Sequence, residues 1–190
     1  MNLVSLKDLV AGIKQGKIVS FPTDTVPGLA VLPEKSQLIY TLKNRPQHKP
    51  LILMGAAAED LWPYVNGSDR ELAIWQKITA RYWPGALTLV LPSSDRTPLA
   101  MHRAEPTSIG IRVPDLELTR NILSQTGPLA TTSANISGQP AQTKMSDIAR
   151  IFPEILVLNT QENQGSGKPS SVAKWTGMDW QILRQGTIKI

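Results

Sequence analysis

The residues best equipped for chemistry gather in four short polar segments, each following or interrupting an apolar run. KNRPQHKPLIL, from Lys43 to Leu53, brings together Lys43, Arg45, His48 and Lys49, and Pro46 and Pro50 stiffen the chain where these charges collect. A rigid basic loop suits a polyphosphate, because Arg forks onto phosphate oxygens and Lys acts as a mobile point charge. The segment also leaves a predicted helix C-terminus, where the dipole favours cations, so part of the cluster has a purely structural reason. LATTSANISGQPAQT, from Leu129 to Thr143, carries Thr131, Thr132, Ser133, Ser137 and Thr143 around Asn135. A solvated loop has this composition, and so does a strand end that offers donors to a nucleotide. FPTDTVPGLA, from Phe21 to Ala30, reads either as a rigid turn in which Asp24 and the hydroxyls cap their own backbone, or as hydroxyls and amides held at a strand end where ligands bind. GSGKPSSVAKW, from Gly165 to Trp175, hints at a phosphate loop at Gly167-Lys168. However, Glu162 stands where the first glycine belongs and Pro169 where Ser or Thr is required, which excludes Walker-type binding.

What is missing narrows the chemistry. With no cysteine, disulfides, thiolate zinc sites, iron–sulfur clusters and cysteine nucleophiles are all excluded. His48 and His102 are far apart in sequence, which argues against a histidine metal site, and no GxSxG, HExxH or GxGxxG pattern occurs. A site of Lys, Arg, Ser, Thr and Asn without an obvious nucleophile works by positioning and charge neutralisation. The net charge of +5 suits an acidic partner such as a nucleotide or RNA. Lys7, Asp8 and Lys14 interrupt any signal-peptide core, and no apolar run approaches the ~18 residues of a membrane helix, so a cytoplasmic, non-membrane protein is expected.

The elements that must position these segments follow from periodicity. Leu6, Leu9, Val10 and Ile13 have helical spacing between an N-cap at Ser5 and a stop at Gly16. Further helices are predicted over 37–43, opened by Ser36, over 116–125 and over 146–152. Another follows the Ser68/Glu71 capping box, carries Leu72, Trp75, Ile78 and Tyr82, and stops near Pro84-Gly85. Strands are predicted over 18–21, 51–54, 87–91, 109–113, 129–132, 155–158, 171–175 and 180–183. Helices and strands alternate without a strict βαβ rhythm, so a mixed sheet is expected. The least regular stretches, 93–107 and 160–168, read as surface loops, and the chain as one α/β domain over 1–190. The tryptophans fall mostly on predicted elements, which favours packing over base stacking.

Taken in order, PTDT at 22–25, KxRP at 43–46, SANxSG at 133–138 and PSS with LRxG at 169–171 and 183–186 resemble the YrdC/TsaC-like, threonylcarbamoyl-adenylate synthase family along nearly the whole chain. The resemblance implies a twisted mixed β-sheet with flanking helices around a large basic cavity. It further implies the conversion of L-threonine, bicarbonate and ATP to L-threonylcarbamoyl-adenylate, pyrophosphate and water, which supplies N6-threonylcarbamoyladenosine (t6A) modification of tRNA. The family tetrad falls on Lys43, Arg45, Ser133 and Asn135. By that analogy Lys43, Arg45 and Lys49 neutralise the phosphates alongside Mg²⁺. Ser133 and Asn135 hold the nucleotide with Ser108, Thr143 and Arg184. Thr25, Arg112, Ser133 and Ser170 form the threonine pocket, Arg112 taking the substrate carboxylate. No metal ligand among the side chains is implied.

Three positions depart from the family pattern: Pro27 replaces the usual tyrosine, Met54 a histidine of some members, and Lys174 the aspartate of STVVD. The tetrad survives them, while the amino-acid preference around Val26 to Gly28 is open to change. The chain resembles the short form, which hands its product to separate transfer-complex proteins. The main alternative is a non-catalytic member of the same fold that grips double-stranded RNA or tRNA. A hydrogenase-maturation carbamoyltransferase is disfavoured by the length and the missing cysteines.

Overall fold

The computed structural model describes residues 2–101, 107–136, 138–161 and 165–190. His102, Ser137 and Glu162 lie outside the described residues. The strands are β1 (Leu3–Val4), β2 (Val19–Phe21), β3 (Gly28–Val31), β4 (Ile52–Met54), β5 (Leu87–Pro92), β6 (Ser108–Arg112), β7 (Leu129–Ser133), β8 (Leu156–Leu158), β9 (Ser171–Trp175) and β10 (Trp180–Arg184). The α-helices are α1 (Leu6–Lys14), α2 (Gln37–Leu42), α3 (Asp69–Tyr82), α4 (Glu117–Thr126) and α5 (Met145–Ile151). All ten strands join one sheet in the order β1-β8-β2-β3-β7-β4-β6-β5-β9-β10. The β1–β8, β2–β8, β4–β6 and β5–β9 pairs are parallel and the others antiparallel. This is the mixed, twisted sheet with flanking helices expected from the sequence. None of the described helices is long and apolar enough to cross a membrane.

The helix ends follow the local chemistry. The Asp8 amide donates to Ser5 Oγ at 3.2 Å, and Gly16 turns the chain out at φ 78°. Ser68 and Glu71 close their capping box, and the second carboxylate oxygen of Glu71 accepts from Trp175 Nε1 at 2.9 Å, pinning α3 to β9. Trp75, fully buried on α3, meets Trp175 edge-on at 6.4 Å, and Trp180 lies 5.2 Å from Trp175. These rings build core, as expected.

Three elements differ from the sequence reading. Ser36 does not cap α2: a 3-10 turn over Pro33–Lys35 precedes it, so Ser36 is already helical and its hydroxyl donates back to Pro33 O. Gly28 to Val31, given no strand by the sequence reading, forms β3 and pairs antiparallel with β2, Phe21 opposite Gly28. Every residue of β3 is buried, so no alternation betrays it, and Pro22 and Pro27 make the segment look like loop. β1 is two residues long and exists only through its pairing with β8, distant in sequence.

Period-2 alternation sorts the core to the two faces of the sheet. Leu29, Leu53 and Ala130 face α2, α3 and α5, in one cluster with Ile39, Trp75 and Ile148. Ala30, Met54 and Leu129 face the other way, in one cluster with Leu9 and Ile13 of α1 and Ile122 and Leu123 of α4. Along the strands, Ile52, Thr131 and Ser133 share this second face with Met54 and Leu129, and Arg112 pairs with Met54 across the sheet. There the helical cover ends.

Candidate active site

Where α1 and α4 stop, the sheet forms the floor of a cavity of about 370 Å³. Of the residues singled out from the sequence, Thr25, Arg45, Arg112, Ser133, Asn135, Ser170 and Arg184 all reach it. Strand alternation supplies Ile52, Met54, Thr131, Ser133 and Arg112, Arg184 ends β10, and loops bring Thr25, Arg45, Asn135 and Ser170. Those loops meet through backbone: the Ser166 amide donates to Asp24 O and the Gly167 amide to Thr25 O, each at 2.9 Å. Gly165 is needed there because a Cβ would lie 2.5 Å from Thr25 O.

Lys43, at the end of α2, is 4% exposed and sits one hydrogen bond beneath the cavity wall. Its Nζ donates to Ser133 O at 2.5 Å and to Asn135 Oδ1 at 3.2 Å. Burial, and then repulsion from Arg45, pull its ammonium down from 10.5 to about 7. Asn135 is fully engaged: Oδ1 also accepts from Ser133 Oγ at 2.6 Å, and Nδ2 donates to Ile136 O and Gln139 O. Its side chain thus braces the SANxSG segment and fixes the lysine. The Arg45 guanidinium reaches back to Lys49 O and Pro50 O, and burial lowers its pKa, with Tyr40 opposing.

At the other end, Arg112 is 4% exposed. It donates from Nε to Gly85 O at 3.0 Å, from Nη1 to Thr25 Oγ1 at 2.9 Å and from Nη2 to Asp24 Oδ1 at 2.5 Å. Thr25 Oγ1 in turn meets Thr23 Oγ1 at 2.9 Å, which donates to Val26 O. Arg184, from the LRQG segment, donates to Ser170 O at 2.9 Å and Ser170 Oγ at 3.2 Å, and Ser170 Oγ also meets Thr88 Oγ1. Burial lowers both arginines, and Asp24 counters it at Arg112.

Three residues matched by analogy stand apart. Lys49 is exposed outside the cavity and contributes its carbonyl to Arg45. Ser108 is half-buried at the start of β6, opposite Pro92. Thr143 lines a separate hollow of about 420 Å³ with Leu3, Lys144 and Asn159. Sequence reasoning missed Asp24 as an ion-pair partner, together with the apolar wall of Val26, Ile52 and Met54. The register of Met54 opposite Arg112 would have found part of that wall, had the β4–β6 pairing been known.

Among the described residues, the ion pairs are Arg112–Asp24, Arg120–Asp115 and Arg150–Asp147. Arg45, half-buried, and Arg184, exposed, therefore line one hydroxyl-bearing hollow without a carboxylate partner, and buried Lys43 sits just beneath its wall. A cation as buried as Lys43, with no counter-charge, is costly unless an anion joins it. The described fold is α/β, and its cavity presents cations and hydroxyls of the kind an anionic ligand would meet.

The chain belongs to the Sua5/YciO/YrdC family, whose model, described as "Telomere recombination", matches residues 11–186. A protein of Vibrio vulnificus named threonylcarbamoyl-AMP synthase is 32% identical over 187 residues, covering 96% of this chain and 98% of that protein. The crystal structure of P. abyssi Sua5 complexed with L-threonine is similar at a TM-score of 0.87 and 30% identity. It matches 95% of this chain, which spans about half of that protein (54%). E. coli YciO, at 19% identity and a TM-score of 0.79 over 96% of this chain and 89% of that one, shares the fold.

Proposed function

We propose that this chain is a threonylcarbamoyl-AMP synthase, an adenylating enzyme acting through one domain over 1–190 in the cytoplasm. The observation that carries the reading is the pairing of two unlike subsites in one cavity. Arg45 and Arg184 line it as cations without carboxylate partners, with Lys43 directly beneath the wall at Ser133 and Asn135, suited to a triphosphate. Arg112, with Thr25 and Ser170 nearby, is suited to the single carboxylate of an amino acid. The names of the relatives and the threonine-bound Sua5 support the same assignment.

Threonine's amine and bicarbonate give a carbamate and water. A carbamate oxygen attacks the α-phosphorus of ATP, and pyrophosphate leaves. Negative charge grows on the phosphoryl oxygens during this displacement, so preorganised cations lower its barrier most. Arg45 and Lys43 meet that charge, Ser133 and Asn135 hold the wall against which the nucleotide lies, and Arg112 orients the amino acid. The side chains present do not fit a protein-held magnesium ion. Among the described residues no three His, Asp or Glu groups converge, and the lining is cationic and hydroxylic, so Mg²⁺ would arrive held by ATP's own phosphate oxygens. The product then passes to separate proteins that modify tRNA.

Pyrophosphate release from Mg-ATP, L-threonine and bicarbonate tests this, with each substrate omitted in turn. Release that requires all three and collapses in Arg45→Ala is expected. Release with serine in place of threonine would mark a pocket reshaped around Pro27. No release with any amino acid, from protein that still binds RNA, would overturn the reading in favour of an RNA-binding protein.

A further inference from the structure

We propose that Asp24 is a positioning residue of the amino-acid subsite, whose carboxylate fixes the Arg112 guanidinium so that its remaining N–H groups face the cavity and receive the substrate's α-carboxylate. The inference rests on the synthase reading above. Asp24 does not line the cavity, whereas its neighbours Thr23 and Thr25 and its partner Arg112 do. It therefore acts through the arginine.

A guanidinium offers five N–H donors in one plane. In Arg112 three are committed, one on each nitrogen: Nε to Gly85 O, Nη1 to Thr25 Oγ1 and Nη2 to Asp24 Oδ1. One N–H remains on each terminal nitrogen, two donors available to a carboxylate. Asp24 is itself held, since its carbonyl accepts from the Ser166 amide and the next carbonyl, of Thr25, from the Gly167 amide. Charge argues the same way. Arg184 lies near enough for its charge to press on Arg112, and Asp24 offsets that pressure. With Asp24 in place the Arg112 end is close to neutral, matched to a zwitterionic amino acid. Arg45 and Arg184, which have no carboxylate partner, keep their full charge for the triphosphate. One carboxylate thus divides a cationic cavity into two subsites of different charge.

The test is steady-state pyrophosphate release by the full chain carrying Asp24→Asn, which keeps the shape and one acceptor oxygen. The KM for threonine should rise about tenfold or more, while the KM for ATP and the kcat at saturating threonine change by less than about threefold. Arg112→Lys should give the same pattern, and Asp24→Asn added to it should cost nothing further, because the aspartate acts through that arginine. A purely structural ion pair would instead lower Tm and leave the threonine KM alone, which overturns the proposal. So would an ATP KM rising in step, or two effects that multiply. Should Asp24→Asn not fold, Asp24→Glu decides: it keeps the charge and displaces Arg112, so a raised threonine KM supports the proposal and an unchanged one refutes it. Absence of wild-type release would sink the synthase reading by itself. Calorimetric titration of L-threonine alone then decides the inference: weaker binding to Asp24→Asn than to wild type supports it, and equal or undetectable binding to both overturns it.

Discussion

Replacing Lys43 with methionine keeps a long side chain and removes its charge. The free protein holds this ammonium at about 7 instead of 10.5, through burial first and repulsion from Arg45 second. At 1.36 kcal/mol per pH unit, that displacement amounts to about 5 kcal/mol of disfavoured charge. The folded value lies below the unfolded one. Below pH 7 both states therefore carry the proton and the whole penalty stands. Stability rises as the pH climbs from 7 to 10.5, because only the unfolded chain then holds the proton. A triphosphate set against Lys43 restores the charged form, so nucleotide binding takes up a proton above pH 7. The apparent Kd should be flat below pH 7 and then weaken, by about tenfold at pH 8 and about a hundredfold at pH 9. Arg45, Arg112 and Arg184 contribute no such slope, since guanidinium does not titrate in this range. Calorimetric titration of a non-hydrolysable Mg-ATP analogue between pH 6.5 and 9, in two buffers of different ionisation enthalpy, reads both the Kd and the proton count. In Lys43→Met the slope and the proton uptake should disappear and binding should weaken. Its urea midpoint at pH 6.5 should rise, because relief of about 5 kcal/mol exceeds the ~1–3 kcal/mol lost where Ser133 O and Asn135 Oδ1 forfeit their donor. A wild-type affinity that stays constant from pH 7 to 9, or a slope that persists in Lys43→Met, refutes the reasoning.

Asn135→Ala removes the acceptor shared by Lys43 and Ser133 and the donor to Ile136 O and Gln139 O, so it should cost about 2–4 kcal/mol in urea unfolding and abolish pyrophosphate release. Unchanged stability there would show that the bracing is dispensable. Gly165→Ala places a Cβ 2.5 Å from Thr25 O and 2.8 Å from Thr23 O, both backbone, so segment 23–25 has to shift. The threonine KM should rise about tenfold, with a loss of about 1–3 kcal/mol in thermal unfolding. A threonine KM equal to wild type would detach the Gly165 segment from the amino-acid subsite.

Most of the helices and strands were legible in the sequence because their causes are local. Ser5 with Gly16, Ser68 with Glu71, and the spacing of Leu6, Leu9, Val10 and Ile13 each act within a few residues. The residue types that line the hollow were legible as well: Arg45, Thr131 to Ser133 and the PSS and LRQG segments stand out before any of them is placed. Tertiary structure alone decided which of these groups meet. β1 and β3 are made by partners far along the chain and by burial on both sides, which leaves no periodic trace. Thr143 falls into a different hollow and Lys49 outside the cavity, although sequence places both close to residues that do reach the site. Asp24 reads locally as a turn residue, yet its carboxylate meets Arg112 across 88 positions of chain. Asn135 likewise spends its whole hydrogen-bonding capacity on Lys43 and its own loop. Capping and periodicity are properties of neighbours in sequence; a charge's partner and its desolvation are properties of neighbours in space, and only folding brings those together.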